Sequence, residues 1–542
     1  MKYKARFVVK AFGQKHSIDF EEIFLPMIKI ASIRTLLGLV TSLDLEIEQL
    51  DIKTTFLHAY SKSCTPSQDL SCWCRELPYP AQCLYHLSQE SRLSPFVING
   101  ERDFLRVTLK AALTEVLRVR KSVENVPEKM GAWFDCSNLY DLATLQLNNT
   151  LYVSNNHTDS DTQSWLSAAS TNILICEREI SQIINHITPL SRNNITALIR
   201  NSLTINHEWS EQAVDHNIRQ HIPNKLVLGN EKKSTKRTSI FSKVDIVVAK
   251  DGTGNYKTIQ EAITNLRRWK RKDDMKYVIS IKSGVYHENI LIPKNLNNVV
   301  MVGDGIKKTI ITGERSEPKG FSLIGSATFA VQGSGFIAQG ITFRNTAGPK
   351  GGQGVAMASF SDHSVFYRCS FEGYQDTLYA ASGRQLYREC FIIGTVDFIF
   401  GNAAAVFQKC TIKTMNRALA VITAQSREFT YENTGFSFQY SLIIPSNNTF
   451  LGRPWRNHAR VAFLQSFFNK QINPAGWLKF AGSSDVNNLC YREYKNFGPG
   501  SSTRKRVNWK SYRVMGDIEA QQYTVPKLID GWSWLPDTLV FE

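Results

Sequence analysis

Two acidic residues carry the strongest chemical signal in the chain. Asp376 stands in Gly373-Tyr374-Gln375-Asp376-Thr377-Leu378-Tyr379 and Asp397 in Gly394-Thr395-Val396-Asp397-Phe398-Ile399-Phe400-Gly401, 21 residues apart. Each follows a cysteine, Cys369 or Cys390, by seven positions, so the acids repeat in step with the cysteines. If those repeats stack as parallel strands roughly 4.8 Å apart, the two carboxyl groups become near neighbours. Carboxylates that close do not both ionise at neutral pH unless a cation intervenes. A cation beside only one of them splits the pair into an anion and an acid, the division that nucleophilic or acid–base hydrolysis needs. Arg453, in Leu451-Gly452-Arg453-Pro454-Trp455-Arg456, is the candidate cation, and Trp455 offers an aromatic face on which a sugar can stack. No Gly-x-Ser-x-Gly elbow supports a serine esterase.

The elements that must position these residues are short. From about 244 onward, β-branched and aromatic runs such as 245–249, 277–281 and 299–303 alternate with Gly, Asn and Asp. Cys369-Ser370-Phe371, Cys390-Phe391-Ile392 and Cys410-Thr411-Ile412 recur at steps of 21 and 20, and Ile341-Thr342-Phe343 fits the same slot one longer coil earlier. A strand repeat of this length predicts a solenoid, best a right-handed parallel β-helix with the cysteines as buried free thiols. Residues 70–215 read differently. Leu105, Leu109, Ala112, Val116, Val119 and Val123 form one helical stripe, and Leu166, Ala169 and Ile173 another, which predicts an all-α helical bundle ahead of the solenoid. Residues 216–243 read as a linker with a basic run at 231–237.

Composition narrows the partners. Of 542 residues, 64 are Lys or Arg and 48 Asp or Glu, giving +16. Such a surface favours polyanions such as nucleic acid, anionic lipid or acidic polysaccharide. No apolar run approaches the roughly 20 residues of a membrane helix, which argues against an integral membrane protein. Gly333-Ser334-Gly335-Phe336-Ile337-Ala338 matches a loose dinucleotide fingerprint but leads into a strand pattern where that fingerprint needs a helix. Ten cysteines and the sequons at Asn148, Asn156, Asn194 and Asn447 suit an oxidising, glycosylating compartment, yet no signal peptide is visible at Met1. Cys72, Cys74, Cys83 and His86 are all allowed zinc ligands, while a disulfide between Cys74 and Cys83 would close the loop around Pro78-Tyr79-Pro80.

Within the solenoid domain, 244–542, residues 244–536 resemble the plant pectin methylesterases almost throughout, and the end from Trp534 to Glu542 diverges from the family's usual last strand. The motifs that carry the likeness are Gly340-Ile341-Thr342-Phe343-Arg344-Asn345-Thr346-Ala347-Gly348-Pro349, the two aspartate motifs and Leu451-Gly452-Arg453-Pro454-Trp455. The resemblance implies removal of methyl esters from homogalacturonan pectin, with no metal and no organic cofactor. Asp397 would attack the ester carbonyl, Asp376 would serve as acid and then base, and Arg453 would hold Asp397 ionised. Gln353 and Gln375 would donate to the oxyanion, roughly 3–4 kcal/mol per donor in other hydrolases, and Trp455 would pack on the pyranose. In this chain Gln353 precedes Gly354, where the family usually has alanine, Met357 stands where the family has leucine, and Leu323 stands where the family has a substrate-contacting threonine.

Residues 70–215, with Cys136 in Phe134-Asp135-Cys136-Ser137-Asn138-Leu139-Tyr140 and Cys176 after Trp165-Leu166, resemble the plant invertase and pectin methylesterase inhibitor family. That implies one bridge in an N-terminal hairpin, a second between helices, a contact between this domain and the catalytic one, and secretion to the cell wall. Residues 1–60, including Gln49-Leu50-Asp51-Ile52-Lys53-Thr54-Thr55-Phe56-Leu57-His58, resemble part of a copia-type retrotransposon reverse transcriptase. The Tyr-x-Asp-Asp turn that would complete the metal site around Asp51 is missing, and Asp273-Asp274 sits in an unrelated context, so this segment reads as a non-catalytic relic and nucleic acid is not an expected partner. The alternative function is a catalytically weak pectin-binding protein or an inhibitor of another esterase.

Overall fold

The computed structural model describes residues 70–93, 95–124, 131–152, 157–181, 189–218, 243–269, 275–446, 448–480 and 485–536. Residues 1–60 with Asp51, the acids Asp273 and Asp274, the sequons at Asn156 and Asn447, and most of the 216–243 linker lie outside them.

Among the described residues six helices come first: α1 (Leu70–Cys74), α2 (Pro80–Leu93), α3 (Glu101–Glu124), α4 (Gly131–Tyr152), α5 (Asp159–Ser181) and α6 (Pro189–Ile218). The stripe on α3 does what its spacing predicts, because Leu109, Ala112, Val116 and Val119 are buried. They pack with Leu139, Ala143 and Leu147 of α4, Leu166, Ala169 and Ile173 of α5, and Leu198 of α6. Disulfides join Cys74 to Cys83 and Cys136 to Cys176. The zinc alternative falls with them: two of the four candidate ligands are joined to each other, and His86 faces Glu115 at 3.5 Å.

From Ile246 the chain winds through three sheets of eleven, seven and eight strands, and every pairing within them is parallel. In the middle coils each sheet takes every third strand, so one coil lays one strand on each face, as a parallel β-helix requires. A strand–crossover–strand path of this kind winds right-handed. Stacking in register puts like on like. Phe366, Tyr387, Phe407, Phe438 and Phe463 are successive partners in the eleven-stranded sheet, with ring centroids 4.5–4.8 Å apart, the spacing of the strands themselves.

The bend after each of these five strands, and after the next at Cys490–Tyr494, is a single left-handed residue: Arg368, Glu389, Lys409, Tyr440, Gln465 and Lys495, with φ between 45° and 55°. The next residue turns inward. Cys369, Cys390 and Cys410 are buried free thiols. Cys390 and Cys410 donate to the carbonyls of Phe366 and Tyr387 one coil back, at 3.2 and 3.3 Å, and Ser441 donates likewise to Phe407 at 3.2 Å. The cysteine repeat is thus a ladder of weak S–H donors that satisfies carbonyls at the bend. The loose Gly333–Gly335 fingerprint leads into strand Ile337–Gln339, not a helix, which removes the nucleotide reading.

The seven-stranded sheet is two-faced. Phe329, Val331, Met357, Leu378, Ala380 and Ile399 point into the solenoid core. The alternate residues Ala330, Ala358, Tyr379, Phe400 and Ala424 join the apolar cluster of the helical bundle instead. The bundle therefore packs on the sheet that carries Asp397 in one strand and Asp376 just ahead of the neighbouring one.

Candidate active site

Asp376 and Asp397 sit at equivalent places on successive coils, each two residues ahead of the paired Leu378 and Ile399. The Asp376 N–H donates to the Val396 carbonyl at 3.3 Å, and Thr395 N–H to Tyr374 at 3.0 Å, which closes the two coils on each other. Both acids take positive φ, 62° and 53°. That conformation is costly for side chains other than glycine, and it persists where flanking strands over-determine it.

Arg453 lies further along the solenoid. Its Nε donates to both oxygens of Asp397, at 2.9 and 3.1 Å, and its Nη2 to Oδ2 at 2.6 Å. Its backbone is held too, since Arg453 N–H donates to Thr423 at 2.9 Å and Gly452 bridges to Trp477. Burial holds the Asp397 carboxyl above its ordinary value, and the Arg453 hydrogen bonds and charge oppose that rise. Among the described residues no cation makes such a contact with Asp376. Burial first, and the neighbouring Asp397 second, push it up to about 8. At neutral pH the pair is therefore divided: Asp376 carries a proton and Asp397 faces the guanidinium.

The two glutamines flank the acid on adjacent coils, where Gln353 and Gln375 form a parallel bridge. Gln353 Nε2 donates to Asp376 Oδ2 at 2.5 Å, so one of its two N–H groups orients the acid, and the second has no partner among the described residues. Gln375 is the residue before Asp376, and its carbonyl accepts from Gly354 N–H at 3.2 Å. Leu323 and Gln353 both line a cavity of about 780 Å³ between the bundle and the sheet, with Asp135, Glu179 and Arg315 on its wall.

Trp455 is at the site, edge-on to Phe400 at 5.9 Å, but the Arg178 guanidinium of α5 lies over its ring at 4.6 Å. Helix α5 reaches the same face along its length. Asp161 pairs with buried Arg384 at 2.8 Å, Gln163 Nε2 donates to the Tyr431 carbonyl at 2.6 Å, Ser170 donates to Glu432 at 3.1 Å, and Asn402 donates to Thr171 at 2.8 Å. From α4, Asp141 accepts from Lys294 at 2.6 Å and Asp135 from Ser322. Arg384 also clamps Asp362. Burial would raise that carboxyl, yet the guanidinium holds it well below the usual carboxylate range.

Sequence reasoning thus brings together Asp376, Asp397, Arg453, Gln353, Gln375 and Trp455, and it misses three neighbours. Arg178 comes from a helix some 200 residues upstream. Tyr379 stacks on Phe400 at 4.4 Å beneath the site. The Arg453 guanidinium carbon lies over the ring of Phe480, 4.5 Å from its centroid. The aromatics Trp477 and Phe480 were a visible signal for the last; the first had none.

Residues 245–532 match the family model described as Pectinesterase, residues 68–205 that of Plant invertase/pectin methylesterase inhibitor, and residues 1–63 that of Reverse transcriptase (RNA-dependent DNA polymerase). Pectinesterase 2 of Citrus sinensis is 42% identical over 497 residues, covering 87% of this chain and 94% of its own. The solved structure of pectin methylesterase from carrot is 42% identical with a TM-score of 0.54, covering 56% of this chain and 99% of the carrot chain. On this match and this site, the chain belongs to the pectinesterase family, with a plant invertase/pectin methylesterase inhibitor domain ahead of the catalytic one.

Proposed function

We propose that this pectinesterase hydrolyses the methyl esters of homogalacturonan with Asp397 as nucleophile and Asp376 as the proton carrier. The Asp397 carboxylate attacks the ester carbonyl carbon, and the resulting oxyanion draws on the free N–H of Gln353 and on Gln375. The C–OCH3 bond breaks as Asp376 delivers its proton, releasing methanol and leaving galacturonate joined to Asp397 as an acyl anhydride. Water then attacks that carbonyl while Asp376 takes its proton. The products are the free acid, an ionised Asp397 and a protonated Asp376, which is the starting state.

The observation that carries this reading is the asymmetry of the pair: three Arg453 contacts on one carboxylate and, among the described residues, no cation touching the other. The test is methanol release from methyl-esterified pectin. Asp397→Ala abolishes it, and unchanged release in that variant would overturn the assignment.

The bundle is the second part of the reading. Arg178 covers the Trp455 face that a sugar ring would use, so the docked helices and the polymer compete for one surface. The bundle is then an intramolecular partner, and pectin turnover requires it to move or be removed. The disulfides suit the oxidising route to the cell wall, which is where the substrate lies.

A further inference from the structure

We propose that Phe480 is a positioning residue for the nucleophile, acting through Arg453; this rests on the aspartyl-nucleophile reading above. Arg453 has two partners. Its Nε and Nη2 donate to Asp397, while its central carbon lies over the ring of Phe480, 4.5 Å from the ring centroid. The carboxylate holds the cation at its N–H groups, and the ring limits how far the cation swings away from that contact. The negative face of an aromatic ring also attracts the cation directly.

The segment that carries Phe480 is fastened to the strand that carries Arg453. Leu478 N–H donates to Gly452 at 3.0 Å, and Leu451 N–H to Gly476 at 2.7 Å. Between them Trp477 is buried and stacks on Tyr491 at 4.1 Å. Phe480 itself is half-buried.

Among the described residues, the charged and titratable groups around Asp397 are few. Arg453 contacts it, Asp376 stands on the preceding coil, and the buried Tyr491 hydroxyl feels its charge from the core side. Arg453 is the one cation among them in contact. Removing the ring admits water to the guanidinium face and frees its rotation, which weakens the attraction between the pair. Asp397 then holds its proton to higher pH and is less often the anion that attacks.

The test uses the full chain labelled with 13C at the aspartate side-chain carboxyl, with the Asp397 resonance assigned by its loss in Asp397→Asn. In Phe480→Ala the Asp397 titration midpoint moves up by roughly 0.5–1 pH unit; Phe480→Trp keeps the wild-type midpoint, and Phe480→Leu falls between. Coincident titrations of Phe480→Ala and wild type overturn the proposal. So does full restoration by leucine, because bulk alone would then suffice. If Phe480→Ala does not fold, the leucine and tryptophan variants decide. With pectin, a positioning role lowers kcat and leaves KM, whereas a rise in KM alone marks a sugar-stacking ring and sinks the proposal. Methanol release that survives in Asp397→Asn defeats the nucleophile reading instead, and the titration still decides separately whether Phe480 acts on Arg453.

Discussion

Asp376→Asn removes a proton donor and a buried titratable group in one step, and the second effect can be worked out. In the unfolded chain an aspartate ionises above about 3.9. In the folded protein Asp376 keeps its proton up to about 8, because burial and the Asp397 charge disfavour the anion. Between those limits the folded state binds one more proton than the unfolded state, so this group's contribution to stability falls as pH rises. It is fully present below about pH 4 and lost by about pH 8. At pH 7 the gap of about three units corresponds to roughly 4 kcal/mol at 1.36 kcal/mol per unit. Asparagine has no charge to suppress and can still accept from Gln353. The variant therefore turns over far more slowly yet is more stable, by about 4–6 °C in melting temperature at pH 7 for a cooperative unit of several hundred residues. At pH 4 the two proteins melt together. The assay is a pair of thermal scans of the full chain at those two pH values. A gain of equal size at both, or none at pH 7, would refute the account of the pair.

Asp376→Ala lowers methanol release by roughly 10²–10⁴-fold, the range for loss of a general acid–base group, read at saturating pectin. Asp161→Asn removes one of the two carboxylates on Arg384 and weakens docking by roughly 1–3 kcal/mol; hydrogen exchange then rises in strands 357–359 and 378–380, and methanol release by the full chain increases. Replacing Cys136 and Cys176 together by serine opens a bridge with a sequence separation of 40 and costs about 4 kcal/mol, seen as a lower urea midpoint in the helical circular dichroism signal.

The solenoid was legible because its physics is periodic. A strand stacked on its own repeat must offer the same kind of side chain at the same slot, so Cys369, Cys390 and Cys410 marked the coils, and the acids seven positions on inherited their phase. The stripe 109–112–116–119 was legible for the same reason at helical spacing. What periodicity does not encode is the meeting of separate elements. Nothing near Arg178 distinguishes it from a solvated helix arginine, and only the docking of α5 places it over Trp455. The outward residues Ala330, Ala358 and Tyr379 read as ordinary sheet surface until a bundle covers them. The zinc alternative arose because spacing names possible ligands without saying which thiols oxidise.

The left-handed bends also measure the coils. Successive bends at Arg368, Glu389 and Lys409 are 21 and 20 residues apart, but the next, at Tyr440, is 31 away. Most of the surplus is the excursion through 426–434, the rest being a longer connection at 415–419, and the excursion's residues Tyr431, Glu432 and Asn433 are those that α5 grips. Chemistry and latch are thus written on different turns of one spring. The turns bearing the acids tolerate no change of length, because one inserted residue between Asp376 and Asp397 would dephase them, while the turn above can grow or shrink and alter only how firmly the helices hold.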